Sequence, residues 1–477
     1  MLATASYGAG SIFAAGASGG LLEWKTTSNA LQVVRQCTLA VPWDGQVFIA
    51  ADMSFTRVDG DYEAKFTLGM DTANADGAAD RWVNVYSDSG DGTDRAGAVS
   101  ILKPVTAGIH TFYLLASRYG GTGTVDILRP TLTAVFIPSV NTRVVAAGAS
   151  GNANWTTTSS AFQVVRQCTL TVPGDGQVFI AADTSLARSD GDYEARFSLG
   201  VDSTNRDSNI ERWVNVYSDS GDGTDKSGAL SILKPVTAGV HTFYLLATRY
   251  SGAGTVTLYD PSLTVIFTPS DNADVVAAGA SGSSVPWTTT DSAFQVVRQC
   301  TLPAPRDGQV FIAANTSLAR SDGDYEARFS LGVDTTNRDM SIERWVNVYS
   351  DSGDGTDENG ALSILKPVAA GVHTFYLLAA RYNGTGTVDL LRPTLTAIFT
   401  DGPSVPPIIS AAGVQGGAFG MVITNLVAGT TNDILGAVSL SAGEWTTSAT
   451  FRAASAGTNW SAPAPGSSRF YRVRSRW

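Results

Sequence analysis

One fourteen-residue phrase occurs three times without a change: Arg81-Trp-Val-Asn-Val-Tyr-Ser-Asp-Ser-Gly-Asp-Gly-Thr-Asp94 returns as Arg212–Asp225 and again as Arg344–Asp357. A chain that repeats itself at a spacing of about 131 residues is one unit written in tandem, and that length is enough for a unit with its own core. Within the phrase, Trp-Val-Asn-Val-Tyr alternates as a strand does. Val83 and Val85 share one face, and Trp82, Asn84 and Tyr86 share the other. The Asp/Ser/Gly run that follows ends the strand, because those residues accept left-handed turns and hydrogen-bond their own backbone.

Around the phrase, each unit reads as a series of short strands separated by turn signals. In the second unit the pattern predicts strands at 144–148, 161–172, 176–183, 193–202, 212–218, 229–235, 239–249, 254–259 and 262–267. The chain holds 49 Gly and only 16% charged residues, a balance that favours strands and tight turns over helices. The predicted class is all-β: three tandem jelly-roll-like β-sandwich repeats, at 13–137, 144–268 and 275–400. Residues 1–12 precede them as an arm that could add a strand to a neighbouring subunit. The joints are short and contain proline, which predicts an elongated, semi-rigid row of domains.

From residue 408 to 477 the pattern changes. Ala418-Phe-Gly-Met-Val-Ile-Thr-Asn-Leu426, Ser439-Leu-Ser-Ala-Gly-Glu-Trp-Thr-Thr447 and Ser468-Arg-Phe-Tyr-Arg-Val473 resemble the small fibronectin-type-III-like modules of secreted bacterial proteins. That likeness covers about seventy residues and implies an extracytoplasmic address. The repeats themselves, through Leu-x-Val-Pro-x-Asp-Gly-Gln-Val, Leu-Gly-x-Asp, Ala-Gly-x-His-Thr-Phe-Tyr-Leu-Leu-Ala and Leu-Thr-x-x-Phe, resemble jelly-roll units of bacterial surface proteins and phage fibres. The resemblance implies a fold and names no activity.

Charge narrows the partners. The formal charge of −11 opposes nucleic-acid binding through a basic field. In residues 406–477 five arginines stand against Asp433 and Glu444, so this segment carries +3 and the remainder −14. A basic end on an acidic body could favour head-to-tail contact, and the arginines could equally serve only to solubilise a terminal strand. The first twenty residues show no ordinary signal peptide, and no apolar run approaches a membrane-spanning length. The expected location is nonetheless extracellular or at the cell surface, on the likenesses above.

Four residue sets are candidates for chemistry. The acidic loops offer Asp88, Asp91 and Asp94, then Asp219, Asp222 and Asp225, then Asp351, Asp354 and Asp357, as oxygen ligands for Ca²⁺, although their spacing is not that of an EF-hand. Trp82, Asn84 and Tyr86, with Trp213, Asn215 and Tyr217 and with Trp345, Asn347 and Tyr349, would suit a glycan if exposed, and would equally serve a structural layer with Arg81 stacked on the Trp. One histidine per repeat, His110, His241 and His373, lies on a strand face with aromatic and apolar neighbours and reads as a packed or rim residue. One cysteine per repeat, Cys37, Cys168 and Cys300, reads as a small buried apolar residue with no disulfide partner.

No distinct catalytic module appears among three near-copies, so the expected function is non-enzymatic. It is a self-assembling structural subunit of a filament or surface layer, built through strand-edge and head-to-tail contacts between copies of the chain. The alternative is a multivalent carbohydrate-binding adhesin or a virion fibre component.

Overall fold

The computed structural model describes residues 12–19, 23–86, 94–187, 190–216, 225–272, 275–282, 285–319, 322–348 and 358–401, together with six strands of the C-terminal segment. Among the described residues there is no α-helix, and no helix is long and apolar enough to cross a membrane.

In the first module the strands are β1 (Phe13–Ala17), β2 (Glu23–Thr26), β3 (Gln32–Val41), β4 (Gly45–Thr56), β5 (Tyr62–Met70), β6 (Arg81–Val85), β7 (Arg95–Val105), β8 (Gly108–Gly121) and β9 (Val125–Pro138). They form two antiparallel sheets. One runs β1-β9-β4-β7, with β2 continuing beside β1 on β9, and the other runs β3-β8-β5-β6. With β1 and β2 counted as one broken strand, this is the eight-stranded double Greek key of a jelly roll. The second and third modules repeat both sheets with the same order.

Two details depart from the sequence pattern. Residues 254–259 and 262–267, read as separate strands across Pro261, are one strand, Val256–Pro269, and a short strand at Trp155–Thr157 was not anticipated. The long strand survives its proline because Asp260 takes φ 46° and the register slips between Asp183 and Ser185, absorbing two residues in a bulge. Arg129 and Arg392 do the same in the other modules.

Each sandwich buries its own apolar core, but β4 is buried on both faces. Val47, Ile49, Ala51, Met53 and Phe55 point into the module. Phe48 and Ala50, on the opposite face, belong to a separate cluster with Phe179, Ala181, Phe311 and Ala313 of the other two modules. The three phenylalanines meet edge to face in all three pairings, with ring centroids 5.8 Å apart. That arrangement suits the ring quadrupoles.

The modules therefore do not form the expected row. They close into a three-lobed ring around a pseudo-threefold axis, with the β1-β9-β4-β7 sheets turned inward. A row would have left Phe48 and its equivalents exposed, and closure buries them at roughly 1.5–3 kcal/mol per side chain. Ile12, assigned to the N-terminal arm, is fully buried in this axial cluster, while residues 1–11 lie outside the described residues.

The C-terminal segment contributes two three-stranded antiparallel sheets. One pairs Ile408–Gln415, Ala418–Thr424 and Gly457–Pro463, and the other pairs Thr446–Arg452, Thr431–Ala437 and Phe470–Arg476.

Candidate functional site

The conserved chemistry of the repeat is concentrated at the three seams between modules. Strand β6 is an edge of its sheet, and an edge presents unpaired backbone groups that must be covered. The neighbouring module covers it. The Trp82 N–H donates to Ser185 Oγ at 2.8 Å, and the Asn84 N–H donates to the Asp225 carbonyl at 2.9 Å. Trp213 donates likewise to Ser317 Oγ at 2.7 Å, and Trp345 to Ser54 Oγ at 2.8 Å, which returns the series to the first module.

Beside each of these bonds an arginine is completely buried. Arg81 reaches Asp183 of the second module (Nε to Oδ1, 2.9 Å), Arg212 reaches Asn315 of the third (2.9 Å), and Arg344 reaches Asp52 of the first (2.7 Å). The acceptors are satisfied in turn. Asp52 Oδ2 accepts from Thr131 Oγ1 (2.9 Å) and the Ser363 N–H (2.7 Å), and Asp183 Oδ2 accepts from Ser262 Oγ (2.9 Å) and from Ser100 Oγ. Arg212, which faces an amide instead of a carboxylate, is pushed down to about 9 by burial, with Arg392 adding repulsion.

These partners were missed in the sequence, although a signal existed. An Asp or Asn followed two residues later by Ser inside a run such as Val-Phe-Ile-Ala-Ala-Asp-x-Ser places polar groups on a strand with no solvent face, so each requires a partner.

The predicted aromatic faces are not open surfaces. Asn84, Asn215 and Asn347 are buried, and Trp82, Trp213 and Trp345 are half-buried at the seams. Arg81 does not stack on Trp82. The cation over Trp82 is Lys65, 5.2 Å from its centroid. The equivalent residues are Arg196, 3.8 Å from the Trp213 centroid and 3.0 Å from that of Tyr250, and Arg328, at 4.0 Å from Trp345 and 3.0 Å from Tyr382. Tyr86 is half-buried, and Tyr217 and Tyr349 lie outside the described residues.

Of the nine loop aspartates, only Asp94 and Asp225 fall within the described residues. Both meet a carboxylate of the adjoining module. Burial, with Glu63 as hydrogen-bond partner and like charge, pushes Asp225 up to about 8, and burial raises Asp94 to about 6. Glu326 is raised to about 7 by burial and by Asp94. Among the described residues no group of three or more His, Cys, Asp or Glu is placed to hold a metal ion. The turn that carries Asp59 and Asp61 is internally satisfied, with Asp59 accepting from the Thr124 N–H at 2.7 Å and Arg57 donating to Asp61 at 2.7 Å.

On the axis beside the phenylalanine trio lies a cavity of about 50 Å³, walled by Ala50, Ala181, Ala313, Ser100, Ser231 and Ser363 among others. It has room for a few water molecules and none for a sugar.

The histidines sit at the rim. In each module Nδ1 meets the aspartate of the Leu-Gly-x-Asp turn, at 2.7 Å for His110 and Asp71 and at 2.6 Å for His241 and Asp202 and for His373 and Asp334. Nε2 lies 2.8 Å from the carbonyl of Thr106, Thr237 or Ala369. The three cysteines are free and buried, and burial pushes each thiol up to about 12, so none is a ready nucleophile.

No family model matches the chain, and no curated protein matches it. Among solved structures it is similar to the N-terminal CBM22-1-CBM22-2 tandem domain of Xyn10C from Paenibacillus barcinonensis, at 12% identity over 54% of this chain and 91% of that one, with a TM-score of 0.14. A protein described under the triple jelly roll fold and turret assembly of an archaeal virus matches at 11% identity over 80% of this chain and 91% of that one, with a TM-score of 0.17. The stem and receptor-binding domain of a spike protein of bacteriophage PM2 matches at 10% identity over 50% and 98%, with a TM-score of 0.15.

Proposed function

We propose that this chain is a non-enzymatic structural subunit of an extracellular filament or surface layer, including the surface of a virion. It is supplied as a preformed three-lobed block. The observation that carries this reading is the cyclic series of buried contacts, Arg81 to Asp183, Arg212 to Asn315 and Arg344 to Asp52. Side chains of the repeated phrase are spent on holding the lobes together, which is a mechanical use. Because the module-to-module faces are occupied within the chain, polymerisation falls to other surfaces. The terminal β-domain, fibronectin-like and net basic, is the natural joint to the acidic body of the next copy.

Light scattering and negative-stain electron microscopy over a range of protein concentrations test this reading. Regular filaments or sheets of three-lobed particles, weakened by salt, are the expected result. Isolated particles at every concentration and salt would overturn it.

A second reading, multivalent glycan binding, has its own observation. Tyr119, Tyr250 and Tyr382 are 64%, 56% and 56% exposed and each packs against the seam tryptophan, giving three aromatic platforms per chain. A glycan array probed with the wild-type chain and with the triple Tyr→Ala variant decides it. Signal that disappears in the variant supports the reading, and a blank array sinks it.

A further inference from the structure

The three seams are built alike but charged differently. At the second seam Glu211 of one module pairs with Arg392 of the next at 2.9 Å, and at the third Glu343 pairs with Arg129 at 3.1 Å. In both cases the guanidinium also lies over the seam tryptophan, 5.5 Å from the Trp213 centroid and 5.3 Å from that of Trp345. A further arginine from the same module, Arg206 or Arg338, supports each glutamate.

At the first seam this cation is missing. The position of Arg129 and Arg392 holds Asp260, and the position of Arg206 and Arg338 holds Ala75. Asp80, the counterpart of the two glutamates, therefore faces another carboxylate. Asp80 is 8% exposed and Asp260 6% exposed. Lys65 reaches Asp80 Oδ2 at 2.5 Å and its Nζ lies 5.2 Å from the Trp82 centroid, as Arg196 and Arg328 lie over the sibling tryptophans. Asp80 Oδ1, however, has no hydrogen-bond partner among the described residues. Burial raises the Asp260 carboxyl, and Asp80 adds to the rise against the opposing pull of Arg81, Lys65 and Arg166. Arg81 is itself committed to Asp183. Two aromatic rings flank the place, Trp82 and Tyr259, with centroids 5.8 Å apart at an interplanar angle of 61°.

A buried carboxylate with an unmet oxygen, a second carboxylate opposite it and a tryptophan face beside them make a setting that a planar organic cation satisfies. Such a cation donates to both acids and lies against the ring. In the sibling seams the protein supplies that group itself. We propose that the seam between the first and second modules binds an external guanidinium group between Asp80 and Asp260 and against Trp82. The ligand is either a free small molecule or an arginine side chain of another protein. The aromatic wall and the two-carboxylate count favour this over a divalent metal, which would require more oxygen ligands.

The test uses the full chain and L-arginine amide as probe, followed by calorimetry and by tryptophan fluorescence. Saturable binding of one equivalent is expected, together with a loss of about tenfold or more in affinity in Asp260→Arg, which carries its own guanidinium as both sibling modules do. That variant keeps the left-handed residue that the siblings also place there, and it is expected to melt no lower than wild type. Trp82→Phe, which keeps an aromatic ring, should weaken binding several-fold.

A short arginine-containing peptide in competition separates the sources. Tighter binding of the peptide than of the amide assigns the site to a protein side chain, and equal or weaker binding assigns it to a free cation. No saturable binding, undiminished binding in Asp260→Arg, or displacement of the amide by stoichiometric Ca²⁺ would overturn the proposal.

Discussion

Asp401, the last described residue of the third module, donates its backbone N–H to the carbonyl of Ile12, the first described residue of the first module, at 2.8 Å. Phe13 and Asp401 form a parallel bridge at the same point, and Arg306 donates to Asp401 at 2.8 Å. This contact stands where residues 138–144 join the first module to the second and residues 269–275 join the second to the third. Two of the ring's three joints are covalent and the third is a set of hydrogen bonds.

The joints should accordingly be interchangeable. A circular permutant of residues 12–401 that links Asp401 to Ile12 through a short Gly/Ser segment and opens between residues 139 and 143 is expected to fold with a Tm within about 5 °C of the unpermuted ring. Thermal unfolding followed by circular dichroism checks this. An unfolded or aggregated permutant would show that one covalent joint is indispensable.

The buried arginines predict an asymmetric pair of outcomes. Asp183→Ala leaves Arg81 charged and uncompensated in a dry seam and should cost about 3–5 kcal/mol. Asn315→Asp gives Arg212 the carboxylate its two counterparts already have, and should stabilise by about 1 kcal/mol through a charge-assisted bond. Urea unfolding of both variants measures the difference, and a neutral Asp183→Ala would mean that the seams contribute little to the ring.

Phe48→Ala, Phe179→Ala and Phe311→Ala each remove one third of the axial aromatic cluster. Each should cost about 3–5 kcal/mol, since the two remaining rings cannot fill the space. If the modules folded independently and merely touched, the loss would be far smaller, and separate melting transitions would appear by calorimetry.

Two kinds of group set the pH dependence with opposite origins. His241 is held above its ordinary value by Asp202, and desolvation at His373 is outweighed by its bond to Asp334. Their contribution is fully present below the unfolded histidine value of about 6.5 and is lost as pH rises through the raised folded value. Desolvation at Asp202 and Asp334 is outweighed by those histidines, and both carboxyls are lowered. Their contribution is present above the unfolded value of about 3.9 and is lost as pH falls through the depressed one. The stability gap between wild type and His241→Gln/His373→Gln should therefore be widest near pH 5, as denaturant titrations at several pH values would show.

At the seams the sign is reversed for the carboxylates. Asp225, raised to about 8 by burial and by Glu63, keeps a proton in the folded chain that the unfolded chain has lost above about pH 4, so stability falls progressively from pH 4 to pH 8. Asp225→Asn cannot ionise. Its stability relative to wild type should climb across that window, and a flat difference would count against the carboxylate pair.

The sandwich and its copies were legible because they follow from local rules. The alternation in Trp-Val-Asn-Val-Tyr identified β6, and the thrice-written phrase identified the modules. The ring was not legible from alternation, because the strand that builds it has none. Val47 to Ala51 is apolar throughout, as a strand buried on both faces must be. A single strand cannot say whether its second face meets a ligand, a partner or its own relatives. The glycan and calcium candidates were read from residue types that do occur together, yet Asn84 lies against Asp225 of the neighbouring module, and spacing within one repeat carries no information about the next repeat's approach.

At one level of the pseudo-threefold axis the three equivalent positions are Arg95, Lys226 and Glu358, and the glutamate pairs with both cations, at 2.9 Å and 2.5 Å. Three separate, identical subunits could not reproduce this. A symmetric trimer of the first module would bring three arginines together, and one of the third module three glutamates, at a repulsion of about 4 kcal/mol per close pair in a partly screened setting. Within one polypeptide the three copies carry unlike charges at this level, two cations sharing one carboxylate, so they attract one another where identical copies would repel. The lobes are therefore not interchangeable at this level, and their order along the chain fixes which charge meets which.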